Sequence, residues 1–197
     1  MITRILPALA LSLTIVLSGC AGSDFVRPSD GELTVGKSTE TDVTKKMGNP
    51  IQKGELTKND KQLNISKYAY ASVGGDSAYP GVTPARSITF LFFDNVLVGQ
   101  EFISSFKQDS TDFEGNKISS IIKGKSTRQD VIALLGKPTG EAMYPVVKGI
   151  NDKAIVYSYV QAKGTAFNMK FYSKSLTVSF DNSGVVTDIE YTVNGDK

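Results

Sequence analysis

The feature that most narrows the possible folds of this chain is a repeat. Gly36-Lys37-Ser38-Thr39-Glu40-Thr41-Asp42-Val43 matches Gly124-Lys125-Ser126-Thr127-Arg128-Gln129-Asp130-Val131, an offset of 88 residues (124 − 36). Gly48-Asn49-Pro50 matches Gly136-Lys137-Pro138 at the same offset. Downstream, Tyr68-Ala69-Tyr70 pairs with Tyr157-Ser158-Tyr159, Phe93-Asp94-Asn95 with Phe180-Asp181-Asn182, and Glu101-Phe102 with Glu190-Tyr191. Matches that keep their order along the chain mark one structural unit written twice.

Each copy carries the same local grammar. Ser126 and Gln129 have capping-box spacing, and Thr127 with Asp130 has the looser Ser/Thr-x-x-acid spacing that Thr39 and Asp42 repeat. A short helix is therefore expected after each Gly-Lys-Ser-Thr, with Val131, Leu134 and Leu135 as its apolar stripe and Val43 and Met47 as a weaker echo. Gly48 and Gly136 suit the left-handed C′ position that ends a helix, and Pro50 and Pro138 follow two residues on. Strands come next. Ile155, Tyr157 and Tyr159 alternate with smaller neighbours, Leu176, Val178 and Phe180 with polar ones, and a turn at Asp181-Asn182-Ser183-Gly184 leads into 185–193. The first copy has an equivalent hairpin, 88–93 and 96–103, about Asp94-Asn95. The predicted class is α+β: two tandem units, each with short helices packed on an antiparallel three- or four-stranded meander. Their predicted bounds are 33–104 and 118–197, joined by 105–117.

The N-terminus sets where such a fold would work. Arg4, an apolar run from Ile5 to Leu17, and Ser18-Gly19-Cys20 have the basic, apolar and small layout of a secretory signal. Leu17-Ser18-Gly19-Cys20 resembles the lipobox of bacterial lipoprotein precursors. That resemblance implies cleavage between Gly19 and Cys20, acylation of Cys20, and a membrane-anchored chain with residues 20–32 as its tether. Residues 1–19 would then be the signal peptide. Two or three acyl chains hold a protein stably where one does not. Ala21, rather than aspartate, at the second mature position points to the outer membrane, facing the periplasm.

Composition removes several chemistries. The chain has no histidine and one cysteine, the residue at the lipobox, so no disulfide, metal cluster or cofactor site is expected. A formal charge of +2 offers nucleic acid no electrostatic footprint. Residues Gly31 to Ser38 satisfy the spelling of a phosphate-binding loop. They follow a Ser/Gly/Asp-rich stretch instead of a buried strand, and Ser119 replaces the first glycine in the second copy. Gly36, Ser38, Thr39, Gly124, Ser126 and Thr127 are accordingly read as turn and helix-start residues, and Asp42 and Asp130 as first-turn anions. A Ser-Lys hydrolase would need Ser38 and Lys37, or Ser126 and Lys125, to converge, which adjacent residues rarely do. The expectation is a protein that is not an enzyme.

What remains is surface. Residues 163–174 interleave Phe167, Met169, Phe171 and Tyr172 with lysines. If exposed, these four form a contact for protein or membrane; otherwise part of the segment is an apolar edge strand packed on the core. Residues 73–86, with Gly74-Gly75 and Tyr79-Pro80-Gly81, read as a long mobile loop.

Residues Lys123 to Pro138, together with the hairpin Leu176 to Ile189, resemble the SmpA/OmlA (BamE-like) family of outer-membrane lipoproteins. The first copy fits more loosely, with Met47 and Asn49 in its helix end. The resemblance implies a protein-binding or scaffold role in envelope biogenesis, at the machinery that assembles outer-membrane β-barrels. Doubling departs from the family pattern, and two such units in tandem are similar in architecture to β-lactamase inhibitor proteins. The alternative function is thus an inhibitor-like module that binds an envelope enzyme. No partner-contacting residue of the family carries over, because the loops that would hold them do not match.

Overall fold

The computed structural model describes residues 22–165 and 167–195. Signal, cleavage site and Cys20 lie outside the described residues. Two eight-residue helices, α1 (Glu40–Met47) and α2 (Arg128–Leu135), begin at the repeated motif. In each, a threonine is the N-cap: Thr39 and Thr127 accept a hydrogen bond from the backbone of Asp42 and Asp130, whose carboxylates accept from the threonine N–H. The cap is therefore Thr127, one residue after Ser126, because the serine is used elsewhere. Ser38 Oγ accepts the N–H of Thr34 at 2.9 Å, and Ser126 Oγ that of Ile122 at 2.9 Å, closing the turn before each helix. Each helix stops at glycine. Gly48 has φ 78° and ψ −162°, Gly136 φ 83° and ψ −164°. This is an extended mirror-image conformation essentially restricted to glycine, not the left-handed helical one expected. The phenols of Tyr68 and Tyr157 then donate to the freed carbonyls of Gly48 and Gly136, at 2.8 and 2.9 Å.

The strands are β1 (Gln52–Lys58), β2 (Lys61–Ala71), β3 (Ala85–Phe93), β4 (Val96–Ser104), β5 (Gly140–Met143), β6 (Lys153–Lys163), β7 (Lys170–Phe180) and β8 (Val186–Asn194). All pair antiparallel in chain order as one eight-stranded sheet. The α+β class therefore holds, but the strands do not form two separate meanders. The seam is β4 with β5, where Gly99, Gln100 and Glu101 face Ala142, Glu141 and Gly140. The backbones come so close there that a Cβ on Gly140 would lie 2.1 Å from the Gln100 carbonyl oxygen.

One face of the sheet carries two apolar cores. Val43 of α1 packs with Leu33, Tyr68, Ile88, Phe90, Phe92, Leu97 and Phe102. Val131 of α2 packs with Phe113, Ile121, Ile155, Tyr157, Leu176, Val178, Phe180 and Val186. The predicted stripe residues behave accordingly: Val43 and Val131 are fully buried, while Met47, Leu134 and Leu135 line the margins. The first half has a single α-helix; the second adds a 3₁₀ turn, Gly115–Ser120.

Several connections are more fixed than their composition suggests. Residues 105–117 bury Phe106, Thr111 and Phe113. In the 73–86 segment Val82 is buried, Ser77 bridges to Phe106 and Val82 to Lys163. That loop is pinned across the seam because its aromatic and apolar residues find partners in the second half. From Phe25 onward the expected tether also docks: Phe25 meets Phe102 edge-on, with ring centroids 6.4 Å apart.

Candidate interaction surface

A meander places its loops alternately at two ends of the sheet. One end gathers residues 72–84, 105–113, the β6–β7 hairpin at 164–169, and Gly195. The hairpin residues Phe167 (fully exposed), Met169 and Phe171 are exposed there, as are Val73 and Val160. Of the four residues singled out from sequence, three thus share a solvent-facing patch. Tyr172 does not join them. It is half-buried, and strand alternation turns it to the helix side with Lys174, Leu176 and Val178. The segment is no edge strand either, since β7 has β6 and β8 on its two sides.

On the face opposite the helices, a groove of about 360 Å³ runs into this patch. Ala69, Ile103, Val160, Ala162, Met169 and Phe171 line it, with Gly22 and Ile51 at its margin. Sequence reading missed Val160 and Ile51 because one falls within a strand that is otherwise buried and the other is a lone apolar residue after Pro50. Gly22 lies against β2 where β1 has ended: a Cβ there would be 1.9 Å from the Ala69 carbonyl oxygen. The chain thus enters the fold beside this groove.

Behind the patch, on the helix side, a polar cluster ties loop to sheet. Lys174 Nζ is 2.6 Å from the Asp112 carboxylate, with Lys174 7% and Asp112 12% exposed at the side chain. The same ammonium donates to the Phe113 carbonyl and sits 4.3 Å from the centre of that ring. Tyr79, from the 72–84 loop, donates to Asp112 and meets Tyr159 edge-on. Burial, reinforced by the Asp112 charge, pushes the Tyr159 phenol well above its ordinary range. Tyr157 is pushed up to about 12 by burial.

The second concavity lies between residues 27–34 and α2, about 520 Å³ in volume. Arg27 crosses it, 5.3 Å from the Phe102 ring centre and donating to the Pro138 carbonyl at 3.2 Å. Burial lowers the Arg27 pKa, opposed by Asp30, Glu141 and Asp109. Glu141 is itself held by Arg128 at 2.7 Å, and Asp30 by Lys137 at 2.8 Å. Both carboxylates are thus already paired, and residues 27–34 form one wall of the cleft.

Ser38 and Ser126 are engaged in their turns. Among the described residues no group of three or more acidic or cysteine side chains could hold a metal ion, and no helix is long and apolar enough to cross a membrane.

Residues 113–190 match the family model for the outer membrane protein assembly factor BamE domain. Over that segment the chain is similar to the BamE family. The matched segment begins at Phe113, at the polar cluster, and takes in the 3₁₀ turn, α2, β5 to β7 and the first half of β8. Among solved structures, the chain is similar to a "putative beta-lactamase inhibitor protein" from Streptococcus mutans. The identity is 12%, the TM-score 0.39, and the match covers 79% of this chain and 82% of that one. No curated protein matches.

Proposed function

We propose that this protein is a non-enzymatic lipoprotein of the outer membrane that binds a protein partner during outer-membrane protein assembly. The BamE match over residues 113–190 carries the reading. In it, acylated Cys20 and a tether to residue 32 hold two BamE-like units, 33–104 and 118–197, at the periplasmic face, with 105–117 between them.

The tandem organisation is supported by bonds that recur at the repeat spacing. Gly36 and Gly124 donate to the carbonyls of Leu97 and Val186, which in turn donate to Ser38 and Ser126. Thr39 and Thr127 bridge to Val96 and Val185. The ion pair Glu40–Lys53 recurs at the same two positions as Arg128–Glu141 with its charges exchanged. A swap that preserves attraction is what selection on an equivalent contact leaves behind.

The test is cross-linking in the native cell followed by purification of the detergent-solubilised full chain. Recovery of components of the β-barrel assembly machinery supports the proposal. Recovery of an envelope enzyme that the purified chain inhibits would replace it with the inhibitor-like reading.

A further inference from the structure

We infer that the end of the sheet carrying the β6–β7 hairpin rests in the phospholipid leaflet that holds the anchor, with Phe167 inserted among the acyl chains. This rests on the anchoring part of the proposed function.

Three independent observations converge. First, exposed large apolar side chains are unevenly placed. Five of the eleven large apolar side chains exposed among the described residues, Val73, Val160, Phe167, Met169 and Phe171, lie toward this end, whereas the opposite end exposes Ile122 and Ile150. Clustered exposed apolar side chains mark a contact surface, and Val160, Met169 and Phe171 line one groove. Second, the chain enters the fold at this patch: Gly22 borders the groove that Met169 and Phe171 line. Cys20 precedes Gly22 by two residues, and two residues reach at most about 7 Å. Acyl chains on Cys20 would hold this end, and not the other, at the bilayer surface. Third, the rim is cationic. Lys107, Lys163 and Lys170 are exposed, while Asp24 and Asp109 share Arg86 and Asp112 is engaged by Lys174, leaving Asp76 against the three lysines. Exposed lysines beside apolar side chains suit an anionic headgroup layer over hydrocarbon.

The covalent anchor supplies the high local concentration that makes a small apolar tip sufficient, since the second contact becomes intramolecular. A protein partner would explain the apolar tip. It would not explain why the chain enters the fold beside that tip.

The chain contains no tryptophan, so a single substitution makes a unique fluorophore. The full chain carrying Phe167→Trp, purified in detergent from membranes, is reconstituted into phosphatidylethanolamine–phosphatidylglycerol vesicles with or without brominated acyl chains. Ile150→Trp, at the opposite end, is the comparison. Acylation is read separately from the mass of the N-terminal peptide. The expected result is an acylated chain whose Phe167→Trp emission is blue-shifted and quenched about twofold by bromine, with Ile150→Trp unaffected. An acylated chain with Phe167→Trp unquenched, or quenched no more than Ile150→Trp, overturns the docking while leaving the anchor intact. A chain with no acyl group removes the anchoring reading and this inference together. A photo-crosslinker at position 167 that captures a protein in cells, and no lipid, also overturns it.

Discussion

The buried ion pair between Lys174 and Asp112 permits a sharp test of how the loops are held. The two groups are 2.6 Å apart, with side chains 7% and 12% exposed. Replacing Asp112 with asparagine leaves an ammonium in a site that water barely reaches, and breaking a buried pair in this way costs about 3–5 kcal/mol. The Phe113 carbonyl and ring remain as partners, which places the expected loss at the lower limit, about 3 kcal/mol. For a chain of this length that corresponds to a fall in Tm of roughly 6–12 °C. Lys174→Met should cost a similar amount, because the carboxylate then keeps Tyr79 but loses its counter-charge. The double variant carries no unpaired charge, so its loss should be close to that of either single change, giving a coupling of about 2–3 kcal/mol. Urea denaturation followed by circular dichroism on all four proteins measures the cycle. Additive losses, or single losses below about 1 kcal/mol, would mean that Lys174 is hydrated like a surface ion pair and that the cluster does not lock the loop.

The two capping carboxylates should make the fold acid-sensitive. Hydrogen bonds from Thr39 to Asp42 and from Thr127 to Asp130 hold both carboxyls below their ordinary value of 3.8. Their contribution is present above that value and disappears as pH falls through the lowered one. In acid titrations of stability, Asp42→Asn and Asp130→Asn should each flatten the slope below pH 4; an unchanged slope would mean that neither carboxylate caps in solution. Gly140→Ala should destabilise by about 1–3 kcal/mol, since its Cβ would meet the Gln100 carbonyl across the seam. Thermal unfolding of that variant unchanged from the parent would show that β4 and β5 are not in the register described.

How much was legible in the sequence depended on how local the determinant was. The helix starts and stops were readable because a threonine, an acid three residues later and a terminal glycine act on backbone within two turns. Strands β3, β4, β6, β7 and β8 were readable from alternation, although Tyr191 and Val193 on the apolar face of β8 are exposed and β6 is buried on both faces over 154–159. β1 was not: its exposed residues, Gln52 to Lys58, carry little apolar pattern. The Asn59-Asp60 turn, with φ of 46° and 58°, was the signal for that hairpin, since those residue types tolerate the left-handed region. The apolar hairpin tip was picked out, but Tyr172 was grouped with it. Separating Tyr172 from Phe171 required the strand register, because adjacent strand residues face opposite sides.

The sequence by itself determined the two capped helices, most of the strands that follow them and the resemblance to BamE, all of which depend on residues near one another in the chain. Only the tertiary structure decided that all the strands join one sheet through β4 and β5, that the 72–84 loop is held by Asp112 and Lys174, and that the chain enters beside an apolar tip. Those outcomes depend on close backbone approach and on charges distant in sequence meeting out of water, and neither leaves a periodic trace in composition.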